Sequence, residues 1–142
     1  MQKSAFTMME LIFVIVILGI LATIAVPKFS GMKEQADIAK GRSDVAAIRA
    51  AILNERQSQI IKGTSSYIPK LTPLTTSTTL FTGNGTRKLL TYGIKAGVWT
   101  HPADGNYTYT INGVATNFIY DSDDGTFTCT ATASNHCAKL VD

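Results

Sequence analysis

One carboxylate in this chain stands where carboxylates are costly. Glu10 follows Phe6-Thr7-Met8-Met9 and opens directly onto Leu11-Ile12-Phe13-Val14-Ile15-Val16-Ile17-Leu18, with no charged side chain between Leu11 and Pro27. A carboxylate moved into hydrocarbon costs several kcal/mol unless it is protonated or paired, so an acid at this place marks function and calls for a cation. The plain alternative is a glutamate that reaches back to the headgroup level without a partner.

Further residues have chemistry open to them. Cys129 and Cys137 are the only cysteines. A sparse, even count in a Thr-rich tail suits a disulfide formed outside the cytoplasm. Zinc is the alternative, with His101 and His136 as further ligands, although no C-x-x-C element is present; two reduced thiols are the third reading. Asp121, Asp123 and Asp124 are acidic and close together in Asp121-Ser122-Asp123-Asp124-Gly125. They could offer oxygen ligands to Ca²⁺, but the spacing is not that of an EF-hand, and a plain turn using Asp and Gly for their backbone tolerance is the better reading. Asp104-Gly105-Asn106-Tyr107-Thr108 fits an N-glycosylation acceptor with an acid two residues upstream, whereas Asn84-Gly85-Thr86 has only Thr82 there. No Ser-His-Asp or Cys-His arrangement and no phosphate-cradling glycine loop occurs, so an enzyme is not expected.

The elements that hold these residues follow from patterning. About twenty apolar residues carry a helix across a bilayer, and Phe6 to Val26 meets that length with Glu10 as its one interruption. Lys3 ahead of the run favours an N-terminus on the cytoplasmic side. A secretory signal peptide is the competitor, but Thr23-Ile24-Ala25 is a poor cleavage site and the helical pattern continues past Pro27. Phe29, Met32, Ala36, Ala39, Ser43, Ala46, Ala50, Leu53, Gln57 and Ile60 recur at alternating spacings of three and four, widened by Val45, Ile48 and Ile52. That stripe is the expected buried face, with Lys33/Asp37 and Lys40/Asp44 pairing outside and with Pro27 and Gly41 as bends. After a Thr/Ser/Pro-rich loop over 63–88, residues 89–142 alternate as antiparallel strands. Asn112-Gly113 between two alternating runs predicts a type I′ hairpin over Asn106–Asp121, "TFTCTAT" supplies a further strand, and Leu89–His101 one or two more with Trp99 in or beside the core. The net charge of +3 is spread along the chain without a basic stripe, so direct nucleic-acid binding is not expected.

The stretch "AFTMMELIFVIVILGILATIAVPKF" resembles the N-terminal signature of type IV pilins and type II secretion pseudopilins, and "KEQADIAKGRSDVAAIRAAI" is similar to the helical continuation in major pseudopilins. The resemblance implies an α+β pilin fold: one long helix, apolar in its first half and amphipathic in its second, on a small antiparallel sheet with a disulfide-closed C-terminal segment. It implies a leader, residues 1–5, cut by prepilin peptidase between Ala5 and Phe6, N-methylation of Phe6, and Glu10 as the fifth residue of the cut chain. Residues 6–27 would form the membrane and filament-core half of the helix, weakened or kinked at Gly19 and Pro27, and 28–62 its amphipathic half. Ala5 stands where the family prefers Gly, Met8-Met9 replaces the usual aliphatic pair, and the Tyr-Pro and Gln-Gly-Leu segment of major pseudopilins has no counterpart.

The function so implied is a structural subunit of a type II secretion pseudopilus. It would be anchored in the bacterial inner membrane with its C-terminal domain periplasmic, and would polymerise with itself and with minor pilin-like subunits. An assembly ATPase and a polytopic platform protein are implied as partners. No cofactor is expected beyond Ca²⁺ at the acidic turn. A type IV pilus or DNA-uptake subunit is the nearest alternative, and a single-pass tethered periplasmic binding domain that never polymerises is the rival of another class.

Overall fold

A computed structural model describes residues 5–141; residues 1–4, where most of the expected leader and Lys3 fall, lie outside the described residues. Two compact units meet between Ala36 and Asp37, and one helix, α1 (Met8–Ile61), contributes to both.

In the first unit the helix over 11–26 is mostly Leu, Ile, Val and Ala, and it passes Gly19 and Pro27 without ending. Pro27 has no amide to give the Thr23 carbonyl one turn back. The Thr23 hydroxyl donates to the Ile20 carbonyl at 2.7 Å. From Met8 to Leu21 every side chain is exposed, Phe13 by 66% and Leu18 by 58%. By length and composition α1 is long and apolar enough to cross a membrane.

In the second unit α1 ends at Gly63, whose φ of +85° permits a Schellman closure: Gly63 N–H donates to Ile60 O and Thr64 N–H to Gln59 O, both at 2.9 Å. Two short strands, β1 (Thr79–Leu80) and β2 (Ile94–Lys95), form an antiparallel ribbon. Four more make an antiparallel sheet in chain order: β3 (Trp99–Ala103), β4 (Asn106–Ile111), β5 (Val114–Tyr120) and β6 (Phe127–Cys129). The expected hairpin is β4–β5, with Ile111 facing Val114 and positive φ at both Asn112 (49°) and Gly113 (80°), as a type I′ turn demands. A one-turn helix, α2 (Cys137–Val141), follows the disulfide.

The core is aromatic. Trp99, Tyr107, Tyr109, Phe118 and Phe127 project from one face of the sheet, and the Phe81 ring joins them, 4.6 Å from Tyr107 and 5.3 Å from Trp99. The helix meets this layer with Ile38, Gly41, Val45, Ile48, Ala51, Ile52 and Glu55. That corrects the expected stripe. Ala39, Ser43, Ala46, Ala50, Leu53, Gln57 and Ile60 are exposed, while Val45, Ile48 and Ile52, read from sequence as its margin, lie at the centre of the buried face. Two stripes of three-and-four spacing coexist here, and large β-branched side chains bury more apolar area than alanines. Lys40 and Asp44 are likewise no surface pair, because Asp44 turns inward and accepts from Trp99 Nε1 at 3.0 Å.

Gly41 is less a bend than a notch: a Cβ there would lie 2.5 Å from Tyr109 Cε1 and 2.6 Å from Leu140 Cδ2. The 63–88 segment, in turn, is not merely a connecting loop. It carries β1 and buries Ile68, Leu71, Thr72, Leu80 and Phe81. Phe81 even takes a left-handed φ of 60°, held by its N–H to Thr72 Oγ1 and its carbonyl to Leu90 N–H, each at 3.0 Å.

Candidate functional site

The residues singled out around Glu10 sit together at the first turn of α1. Ala5, Phe6 and Thr7 precede the helix and are exposed, Phe6 by 82%. Thr7 is the N-cap. Its hydroxyl accepts the Glu10 amide at 3.2 Å, its own amide donates back to Glu10 Oε2 at 3.2 Å, and its carbonyl takes the Leu11 amide at 3.2 Å. This is a capping box, T-x-x-E, which satisfies two otherwise orphaned amides and places a negative charge at the positive end of the helix. The T-x-x-E spacing of Thr7-Met8-Met9-Glu10 is the sequence signal for this cap. Beside it, Met9, Ile12, Phe13 and Val16 line a shallow apolar recess with Thr7 and Glu10 at its lip. The carboxylate is therefore tied within its own chain, exposed, and next to an uncovered apolar surface. It can exchange a backbone amide for a stronger cationic partner.

Among proteins of known role, the N-terminal part of the chain is similar to the type II secretion system core protein G of Aeromonas hydrophila, 49% identical over 51 residues. The proteins of that name in Klebsiella michiganensis and Escherichia coli K12 are 47% and 43% identical over the same length. These matches support a relation of the N-terminal segment to the pilins and pseudopilins. The match spans 36% of this chain and 35–36% of those relatives, little more than a third of their length. No family model matches the chain, and no solved structure does either. The pseudopilin likeness thus lies in the segment that holds Glu10, and the sheet unit is described by its own geometry.

There the structure pairs Cys129 with Cys137, Cα atoms 5.9 Å apart. This overturns the zinc reading, since neither sulfur is a free thiolate. His101 stacks on the Tyr107 ring at 4.6 Å, and His136 meets Thr116 through its backbone amide. Asp121 and Asp124 each spend a carboxylate oxygen on the turn itself, accepting the Asp123 and Thr126 amides at 2.9 Å. Hydrogen bonds from the Thr126 side chain and then its amide hold the Asp124 carboxyl below the usual range. Among the described residues no three His, Cys, Asp or Glu side chains converge as metal ligands. Asn106 is exposed at the start of β4.

Sequence reasoning missed the polar clamps that fasten α1 to the sheet. Glu55, buried, receives Arg87 in a two-pronged pair at 2.7 and 2.5 Å, and Arg87 also donates to the Ser66 and Tyr67 carbonyls at 3.0 Å. The Glu55 carboxylate raises the Arg87 pKa further. Arg49 donates to Phe127 O at 3.0 Å, and Arg42 to Lys139 O, the latter fixing α2. Burial pushes the phenols of Tyr107, Tyr109 and Tyr120 up to about 12. No spacing rule brings residues so far apart in the chain together.

Proposed function

We propose that this chain is a structural subunit of a type II secretion pseudopilus. It would be held in the bacterial inner membrane by the first half of α1, with residues 37–142 on the periplasmic side, and be drawn into a helical filament of its own copies and minor pilin-like subunits. Prepilin peptidase removes residues 1–5 and Phe6 is N-methylated. An assembly ATPase and a platform protein serve extraction. One observation carries the reading: an uncovered apolar helix whose single charge, Glu10, lies in a labile capping box at the mouth of the apolar run. The names of the relatives that match this same segment support it.

The mechanism follows from the charges. Cutting before Phe6 frees an ammonium group that is expensive in a low-dielectric bundle, as is Glu10 alone; together they offset that cost. Glu10 releases the Thr7 amide and accepts the ammonium of a neighbouring copy, which sets subunit register. Contacts of this head-to-tail kind need not close, so a filament results. Losing one member of a buried pair costs about 3–5 kcal/mol, or roughly two to four orders of magnitude in association.

Mass spectrometry of membrane-extracted and sheared-filament protein tests the reading. N-methyl-Phe6 is expected at the N-terminus, and Glu10→Gln is expected to insert yet leave the filament fraction empty. Filaments at wild-type yield from Glu10→Gln, or a polymer that retains Met1, would refute it. Loss of secretion rather than of surface pili or DNA uptake in a deletion strain separates the pseudopilus from its pilus alternatives.

A further inference from the structure

We propose that Asn106 is an acceptor for N-linked oligosaccharide transfer from a polyprenyl-diphosphate donor. The residues are Asp104-Gly105-Asn106-Tyr107-Thr108: an acceptor asparagine, a hydroxyl two residues on, and an acid two residues back. The fold presents the Asn106 side chain to solvent while burying Tyr107. Gly105, with φ of 76°, turns the chain between β3 and β4, and Asn106 is the first residue of β4. In extended backbone, residues two apart share a face, so Asn106 and Thr108 both point away from the aromatic core that buries Tyr107 between them. Beside Asn106 lies an open recess of about 300 Å³ lined by Pro102, Ala103, Thr108, Asn117 and Ile119.

The second sequon acts as an internal comparison. In Asn84-Gly85-Thr86 the Asn84 side-chain oxygen accepts the Thr86 amide at 3.1 Å and the Arg87 amide at 2.7 Å, so its amide belongs to the turn that delivers Arg87 to Glu55. Asn106 holds no such turn. The backbone of Asn106, Tyr107 and Thr108 is paired with β3 and β5, but the flanking side chains are held only at the surface: Asp104 pairs with Lys70, and the Thr108 hydroxyl donates to Asn117 Oδ1 at 2.9 Å. An exposed ion pair and an exposed hydroxyl contact are readily exchanged for contacts with a transferase.

In the transfer, Asn106 Nδ2 forms the C–N bond to the anomeric carbon of the first sugar. The C–O bond to the diphosphate breaks, polyprenyl diphosphate leaves, and the amide proton passes to a carboxylate of the transferase. The inference rests on the proposed function only in placing residues 37–142 outside the cytoplasm.

Full-length protein from a host that carries a bacterial oligosaccharyltransferase and its lipid-linked donor decides the matter by intact-mass and peptide mass spectrometry. The expected result is one glycan mass on the peptide containing Asn106 and none on Asn84. It disappears in Asn106→Gln, Thr108→Ala and Asp104→Asn, is kept in Asp104→Glu, and is no lower in Lys70→Gln, with the emission of Trp99 unchanged throughout as the check on folding. An unmodified Asn106 overturns the site. If Cys129 and Cys137 are oxidised in that sample the failure belongs to Asn106 itself, and if they are reduced it belongs to the compartment and falls on the proposed function as well. A glycan that persists in Asn106→Gln overturns it too.

Discussion

Replacing Gly41 by alanine sets two effects of known size against each other. Alanine is favoured over glycine in a helix interior by about 1 kcal/mol, and at an uncrowded site the substitution is stabilising. At Gly41 the added methyl would meet the Tyr109 ring at 2.5 Å and Leu140 at 2.6 Å. Neither neighbour yields freely. Tyr109 is tied by its hydroxyl to the Asp37 carbonyl at 2.8 Å and packed 4.8 Å from the Trp99 ring, and Leu140 is buried under the Arg42 clamp on α2. Overpacking of this kind costs about 1–3 kcal/mol, and with both neighbours restrained the upper half of that range applies. The net is a loss of about 1 kcal/mol or somewhat more, and for a domain of this size 1 kcal/mol lowers Tm by roughly 4–8 °C. Trp99 is the only tryptophan and is 1% exposed, so its emission during thermal unfolding of the full chain in detergent reports this unit alone. Gly31→Ala, with nothing within 4 Å of its added carbon, is the control and leaves that transition in place. Gly41→Ala with Leu140→Ala is less destabilised than the sum of the two, because the second change removes part of the clash. A Tm for Gly41→Ala at or above wild type would show that the helix does not approach the sheet as closely as described.

Three further outcomes are expected. Asp44→Ala strands the Trp99 indole N–H and costs about 1–3 kcal/mol, whereas Asp44→Asn keeps a carbonyl acceptor and costs less, as chemical denaturation followed by Trp99 emission will read. Reducing Cys129–Cys137, which are 8 residues apart, lowers stability by about 2–3 kcal/mol from loop closure, measured by the same method with and without reductant. At high pH the phenols of Tyr107, Tyr109 and Tyr120, raised to about 12 by burial, keep their protons in the folded chain while the unfolded chain loses them near 10. Their contribution to stability is therefore intact below pH 10 and is lost between 10 and 12. In a Tyr67→Phe, Tyr92→Phe background, which leaves only these three phenols, tyrosinate absorbance and the shift of Trp99 emission are expected to rise together over that interval, and tyrosinate appearing well before the Trp99 shift would refute it.

Local rules account for much of what could be read without a structure. A run of apolar residues long enough for a bilayer, a capping pair at Thr7 and Glu10, an Asn112-Gly113 turn between alternating strands and a pair of late cysteines are each decided within a few residues. Backbone sterics and short-range hydrogen bonds act at that distance, so the long helix, the β4–β5 hairpin and the exceptional place of Glu10 were legible in the chain.

Which helix face is buried was not. Ala39, Ala46 and Ala50 compete with Val45, Ile48 and Ile52 at the same spacing, and only the shape of the aromatic layer on the sheet chooses between them. Nor does any local pattern announce that Asp44 answers Trp99, that Arg87 reaches Glu55 across 32 positions, that Phe81 accepts a left-handed backbone to fill the core, or that Gly41 is a notch for Tyr109. These contacts join residues far apart in the chain, and each is worth its cost only once the others have closed the space around it. For that reason the helix, the hairpin and the long apolar segment belong to the sequence alone, and the packing that makes one body of residues 37–142 belongs to the tertiary structure.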